Sequence, residues 1–221
     1  PDALMARIPA AMQRDGLKPG DAIVISGAMS PRQAAIFLGA LRAGVVVAPL
    51  AHSVTPETFA AMLRDAGPKR LFVDAQAALL LPAGHEEARV SLDGQAPGRA
   101  FEDWLAPQGS RPAPVAIGPD DAFNIIYSSG TTGQPKGIVQ PHGMRWSHIV
   151  RGAGYGWSPE SRALLSTPLY SNTTLVVFFP ALGYGGTVHL MPRFDAGRWL
   201  EIAEREGITH TMLVPVQYRG L

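Results

Sequence analysis

The sequence predicts an α/β fold, with mainly parallel sheets covered by helices, and three observations lead to it. Two segments combine a helix start, a one-faced apolar stripe and a glycine stop; short apolar runs of three to five residues lie between them; and the same alternation resumes after residue 121. Runs that short, separated by helices, pair in parallel through crossover βαβ units and are covered on at least one face.

The first residues read as helix, and residues 22–26 as the first strand. Ser30-Pro31-Arg32-Gln33 offers a capping hydroxyl, a proline at the first helical position and a glutamine three residues after the cap. Behind it Ala34, Phe37, Leu38 and Leu41 make a helical stripe, and Gly44 closes it. Residues 45–48 form the next strand. Thr55-Pro56 opens a second helix with Phe59, Met62, Leu63 and Ala66 on one face, Gly67-Pro68 ends it, and residues 71–73 are a strand. Residues 75–120, punctuated by prolines at 82, 97, 107, 112, 114 and 119, read as a meandering surface connection with a short strand near Val90 and a short helix over 101–105. A boundary between lobes 1–110 and 111–221 falls there. Strands are then expected at 122–127, 138–140, 164–166, 187–191 and 210–214, and helices at 142–151, 174–182 and 195–206, the last capped by Gly207.

With 221 residues, 46% of them hydrophobic, the chain has material for one large domain or two small ones. The 24 glycines and 20 prolines are dense punctuation without low complexity. Nineteen basic residues face 18 acidic ones with no like-charge run beyond a dipeptide, so no basic stripe suggests nucleic acid. The absence of cysteine excludes disulfides, thiolate metal sites and a cysteine nucleophile, and fits a cytoplasmic protein. Residues 163–192 carry no Asp, Glu, Lys or Arg, but Pro168, Pro180, Gly183, Gly185 and Gly186 break the run, and a buried core is expected in place of a membrane span. No signal peptide is read at the start.

One stretch concentrates chemistry. Tyr127-Ser-Ser-Gly-Thr-Thr-Gly-Gln-Pro-Lys-Gly137 follows an apolar run, and its lysine is one of only three in the chain, with Lys18 and Lys69. Glycines at 130, 133 and 137 allow positive φ, so that backbone N–H groups converge on an anion. Ser128, Ser129, Thr131 and Thr132 add hydroxyl donors and Lys136 a full charge, a set suited to the β and γ phosphates of a nucleotide. A Walker loop is excluded: counted from Gly130, Pro135 stands where the second glycine belongs and Gly137 where the metal-binding hydroxyl belongs, and a strand follows where a helix is required. A G-x-S-x-G nucleophile elbow is missing too.

This stretch resembles the phosphate-loop signature of the adenylate-forming superfamily, which includes acyl-CoA synthetases, aryl-CoA ligases, luciferases and peptide-synthetase adenylation domains. Ser128 stands where threonine is usual, which keeps the hydroxyl. Residues 17–50, "LKPGDAIVISGAMSPRQAAIFLGALRAGVVVAPL", resemble the family's early region; "STPLYSNTTL" (166–175) resembles its next core motif and "ITHTMLVPVQYRGL" (208–221) the one after. The resemblance implies part of a large amino-terminal domain. It also implies ATP-dependent activation of a small-molecule carboxylic acid as an acyl-adenylate, normally with Mg2+, followed by transfer to coenzyme A. Carried over by residue, Ser128, Ser129, Gly130, Thr131, Thr132, Gly133 and Lys136 would hold the phosphates, and Tyr170 and Ser171 would lie by the acyl group.

Ser171 replaces a histidine found in many relatives, which bears on substrate class. Motifs that bind adenine, ribose and magnesium, and the lysine-bearing carboxy-terminal domain, fall beyond the matched segments, so little turnover is expected of residues 1–221 alone. The alternative reading is a non-catalytic nucleotide-binding or scaffold half-enzyme.

The remaining candidates read as structure. His142 and His148 lie six apart on different helix faces, without a metal-ligand spacing, and His142 caps or packs at its helix start. Asp120 and Asp121 point to opposite faces. Val176, Val177, Phe178 and Phe179 read as a buried helix, with an acyl tunnel as the other reading.

Overall fold

Apolar β-branched runs alternating with capped helices build two compact units, residues 1–27 with 32–142 and residues 28–31 with 143–221. The computed structural model describes residues 2–129 and 135–221.

The first unit opens with α1 (Asp2–Arg14), β1 (Ala22–Ser26), α2 (Pro31–Arg42) and β2 (Val46–Pro49). It continues through α3 (Pro56–Ala66), β3 (Arg70–Val73), the short α4 (Ala75–Ala78), β4 (Arg89–Ser91), β5 (Arg99–Ala100) and α5 (Phe101–Trp104). It ends in a hairpin of β6 (Ala122–Ser129) and β7 (Pro135–Pro141). The sheet order is β5-β4-β3-β1-β2-β6-β7, and every pairing is parallel except β6 with β7. This is the mainly parallel α/β architecture expected.

Local chemistry places the helices. Thr55 caps α3, its hydroxyl accepting from Thr58 N at 3.3 Å, with Pro56 in the first turn. Gly67 ends the helix in the left-handed region at φ 52°. The expected stripe of Phe59, Met62, Leu63 and Ala66 is buried against Val24, Ala48, Leu50 and Leu71. Each such fully buried large side chain contributes about 1.5–3 kcal/mol. In α2 the buried set is Gln33, Ala35, Ile36, Phe37, Gly39 and Ala40; of the expected stripe only Phe37 belongs to it, while Ala34, Leu38 and Leu41 are half-buried. At Gly39 an added Cβ would stand 2.5 Å from Ile8 Cγ2, so α1 presses on α2 there.

The short strand expected near Val90 and the short helix expected over 101–105 are present, and residues 107–120 are the irregular surface connection their prolines suggest, but residues 75–106 belong to the sheet and its core. Two strands, β4 and β5, extend the sheet, and Leu92, Ala96, Phe101 and Trp104 are buried. Asp93 organises the turn between them: its carboxylate accepts from Ala75 N, Gln95 N and Ala96 N at 2.9–3.0 Å. Burial pushes that carboxyl up, but the backbone donors outweigh it and hold it at about 2.

The Trp104 indole packs edge-on to Phe72, ring centroids 4.9 Å apart, and donates to Asp15 Oδ2 at 2.8 Å. Asp15 also accepts from Arg70 Nε at 2.9 Å and Arg14 Nε at 3.1 Å, while Arg14 Nη2 reaches Trp104 O at 2.7 Å. One carboxylate thus joins the end of α1, the start of β3 and α5.

The second unit contains α6 (His142–Arg151, its first residue counted with the first unit), a 3-10 turn at Gly152–Tyr155, β8 (Arg162–Leu165) and α7 (Asn172–Gly183). β9 (Thr187–Leu190), α8 (Ala196–Glu206), β10 (His210–Thr211) and α9 (Pro215–Tyr218) complete it. Its sheet is parallel, in the order β10-β8-β9. The uncharged run 163–192 becomes β8, a largely buried α7 and β9, and among the described residues no helix is long and apolar enough to cross a membrane. Asp195 caps α8 through Arg198 N at 2.8 Å, and Gly207 ends it at φ 60°.

Removing the Asp15 carboxylate leaves an indole N–H and two guanidinium groups without their acceptor, so Asp15→Ala is expected to cost about 2–4 kcal/mol in denaturant unfolding. Burial raises the Asp15 carboxyl, and its hydrogen bonds to Arg70, Trp104 and Arg14 more than reverse this, so the folded pKa lies below 3.8. Stability from this group is therefore complete above the unfolded value and lost as pH falls through the folded one. Melting curves of the wild type should show that acid-side loss, and those of Asp15→Asn should lack its share.

Candidate functional site

The serine-, glycine- and lysine-bearing stretch lies on the β6–β7 hairpin. Both strands run further than sequence spacing suggests: Ser128 and Ser129 are the last residues of β6, and Pro135, Lys136 and Gly137 belong to β7. The expected phosphate contacts Gly130, Thr131, Thr132 and Gly133 fall outside the described residues.

Register fixes which side chains share a face. Ser128 pairs with Lys136, Ile126 with Ile138 and Asn124 with Gln140, so these six lie on one face. Ser128 and Lys136 are exposed, whereas Asn124 and Gln140 are buried. Ile125 and Tyr127, with Val139 and Gly137 opposite, form the other face; Ile125 and Tyr127 pack on the core beneath α3. A hydroxyl and an ammonium group therefore stand side by side at the base of the tip, as cross-strand neighbours about 4.5–5.5 Å apart at Cβ.

Gly137 has a different role from the one its spacing suggested. Its φ is not positive. A Cβ there would stand 2.8 Å from Asp65 Oδ2, 3.0 Å from Ile125 Cγ2 and 3.1 Å from Tyr127 Cε1. The glycine makes room for the Tyr127 ring, whose hydroxyl donates to Asp65 Oδ2 at 2.7 Å. Burial and the Asp65 carboxylate push the phenol well above the usual tyrosine value. Asp65 carried no signal in sequence.

At the other end of the hairpin, His142 packs edge-on to Phe123 with ring centroids 4.9 Å apart, and burial lowers its pKa, partly offset by Asp121. It packs at the helix start, as expected. Among the described residues no three His, Asp or Glu side chains are grouped to hold a metal ion.

In the second unit Tyr170 and Ser171 are half-buried just ahead of α7. Ser171 is the N-cap residue of α7 but makes no side-chain capping bond. The loop that carries both is pinned from below. The buried Thr174 hydroxyl lies 2.9 Å from Thr167 O, 2.7 Å from Pro168 O and 2.6 Å from Thr167 Oγ1. From α9, Gln217 Nε2 donates to Ser166 O at 3.2 Å while its Oε1 accepts from Val214 N. Thr174 and Gln217 were not singled out from sequence.

Beyond this loop the unit contains a cavity of about 360 Å³, lined by His148 and Arg151 of α6, Trp157, Val176 and Val177 of α7, and Met212 among others. The acyl-tunnel and buried-helix readings of α7 divide here: Val176 and Val177 line the cavity, while Phe178 and Phe179 are buried and in edge-to-face contact at 5.1 Å. Trp157 stacks on His210 at 3.9 Å. The His210 ring nitrogens are held by Tyr155 O at 2.9 Å and Thr209 Oγ1 at 2.8 Å. Burial, then Arg145 and Arg151, lower the His148 pKa, which favours a neutral imidazole at the cavity wall.

Comparison with known proteins agrees with this architecture. The model of the AMP-binding enzyme family matches residues 2–221. An indoleacetate–CoA ligase from Aromatoleum aromaticum is 30% identical over 97% of this chain and 44% of its own length. A feruloyl-CoA synthase from an Amycolatopsis species is 28% identical over 98% of this chain and 43% of its own. The chain thus spans less than half the length of these curated relatives. Among solved structures, a fatty acyl CoA synthetase of Mycobacterium tuberculosis superposes with a TM-score of 0.85 at 23% identity, covering 99% of this chain and 43% of that one.

Gly137→Ala should destabilise the protein by about 1–3 kcal/mol through overpacking against Ile125 and Tyr127, measured by denaturant unfolding.

Proposed function

Because the chain belongs to the AMP-binding enzyme family, we propose that the protein it comes from activates a carboxylic acid with ATP and passes the acyl group to coenzyme A. In the first step a carboxylate oxygen attacks the α phosphorus, the bond to the bridging oxygen breaks, and pyrophosphate leaves with that electron pair. In the second, the thiolate of coenzyme A attacks the acyl carbon and AMP departs.

The placement of Ser128 and Lys136 carries this reading. They are opposed, exposed and cross-strand at the base of the tip. There the ammonium group neutralises phosphate charge and the hydroxyl replaces a water, which favours departure of pyrophosphate. Ser129, Gly130, Thr131, Thr132 and Gly133 are assigned to the same phosphates on the motif alone. The family's Mg2+ would ride on the triphosphate; no described side-chain cluster fits it, and no step is routed through it.

The acid is assigned to the second unit. Tyr170 and Ser171 would meet its polar end. The cavity at Val176 and Val177, about 7.5 Å further along α7, would take its body. That cavity is within the ordinary range for small-molecule sites, and the stacked Trp157 and the valines suit an aromatic acid. Indoleacetate and ferulate, named in the two relatives, are both aromatic.

Two outcomes test this in the full-length protein, read as carboxylate-dependent exchange of labelled pyrophosphate into ATP. Exchange should appear with aryl acids, and Lys136→Ala should reduce it about 10- to 100-fold, the loss of one charge-assisted contact. No exchange with any acid overturns the ligase reading; unchanged exchange in the variant removes Lys136 from the site. Val176→Phe, which fills the cavity, should raise KM for the acid severalfold and leave KM for ATP unmoved.

A further inference from the structure

The β6–β7 hairpin outruns the sheet that supports it. Val47 of β2 is level with Asn124, so Pro49, the last residue of β2, is level with Ile126. Among the described residues, 127–129 and their partners 135–137 have no strand neighbour but each other. An arm with so little ladder support would swing unless something else held it.

We propose that Tyr127, Asp65 and Gly137 form a lock that sets the position of Ser128 and Lys136, with Tyr127 and Asp65 acting as positioning residues for triphosphate binding. The proposal rests on the phosphate role assigned above to those two residues. Asp65 lies in the last turn of α3, a helix fixed by four buried side chains and by the left-handed cap at Gly67. Asp65 is thus an exposed residue on a helix whose backbone is anchored in the core, and its carboxylate accepts the Tyr127 hydroxyl at 2.7 Å. Tyr127 is the first residue of the arm beyond the end of β2. Its partner across the arm, Gly137, leaves its ring and the carboxylate no space to be shared with a Cβ.

The two faces of the arm divide the work. Tyr127 and Gly137 face α3, while Ser128 and Lys136 face the other way. The lock therefore grips the arm without occupying the face on which phosphate would sit. A shift of the Tyr127 backbone moves Ser128 directly and Lys136 through the ladder. The strong upward displacement of the phenol pKa agrees with a hydroxyl kept protonated as a donor.

The test uses the full-length protein and four variants: Tyr127→Phe, Asp65→Ala, Asp65→Asn and Lys136→Ala. MgATP and inorganic pyrophosphate binding are measured by calorimetry, and KM for ATP and for the acid by pyrophosphate exchange. Tyr127→Phe and Asp65→Ala should each weaken MgATP binding about five- to tenfold and leave KM for the acid unmoved. Asp65→Asn, whose amide oxygen can still accept the phenol proton, should retain most of the affinity.

A lower melting temperature with unchanged MgATP binding in Tyr127→Phe and Asp65→Ala would make the contact merely structural and overturn the lock. If Lys136→Ala weakens binding while those two do not, the lock alone fails. If Lys136→Ala also leaves binding intact, the phosphate assignment of Ser128 and Lys136 fails with it.

Discussion

Strand β6 is longer than the parallel neighbour that holds it, and the placement of the candidate site follows from that mismatch. Its first half is sheet: Phe123, Asn124 and Ile126 are buried, and β2 supplies the ladder. Among the described residues its second half has only β7 beside it, and there the strand changes from Ile to Tyr-Ser-Ser. A parallel sheet buries both faces of its strands, which leaves little place for exposed hydroxyls and a lysine. Reversing the chain into an antiparallel arm at the edge lifts Ser128 and Lys136 clear of the core, while Ile125 and Tyr127 on the other face stay attached to it.

What the sequence made legible was local. Thr55-Pro56 with Gly67, and Asp195 with Gly207, delimit α3 and α8 because capping and left-handed termination involve residues a few positions apart. The alternation of strands and helices gave the architecture for the same reason. Of the edge strands, β4 was expected near Val90, whereas β5 was not. They are two or three residues long, and their hold on the structure comes from Asp93 gathering backbone donors and from Trp104 reaching Asp15, 89 positions away. In α2 the buried face is rotated from the expected stripe and shares only Phe37 with it, because a contact that covers it, Ile8 against Gly39, depends on where α1 lies.

The candidate site divides along the same line. The motif located the hairpin, its serines and its lysine, but attributed Gly137 to backbone freedom when its constraint is steric. Asp65 is 62 residues from Tyr127 and Gln217 is 51 from Ser166; neither pairing has a sequence periodicity to announce it. Both act on a segment that carries a candidate residue and do not belong to it. Asp65 restrains the arm of Ser128 and Lys136, while Thr174 and Gln217 restrain the loop of Tyr170 and Ser171. Supporting hydrogen bonds of this kind are tertiary by nature.

The chemistry assigned to the protein explains why support of this kind matters. In acyl-adenylate formation the nucleophile is the substrate's own carboxylate and the leaving group is pyrophosphate, so no protein side chain has to be covalently modified. What remains for the polypeptide is to hold two reactants in line and to place donors where charge accumulates. Both tasks fail through small displacements, since donors aligned for phosphate oxygens lose most of their value when an arm drifts by an ångström. The His210 ring, held at both nitrogens and stacked on Trp157, points the same way: part of the cavity wall is a fixed aromatic surface suited to shape recognition. On the proposed function, rigidity beneath the contacting residues would serve the reaction as much as the contacts themselves, and the hydrogen bond between Tyr127 and Asp65 is where it would reach Ser128 and Lys136.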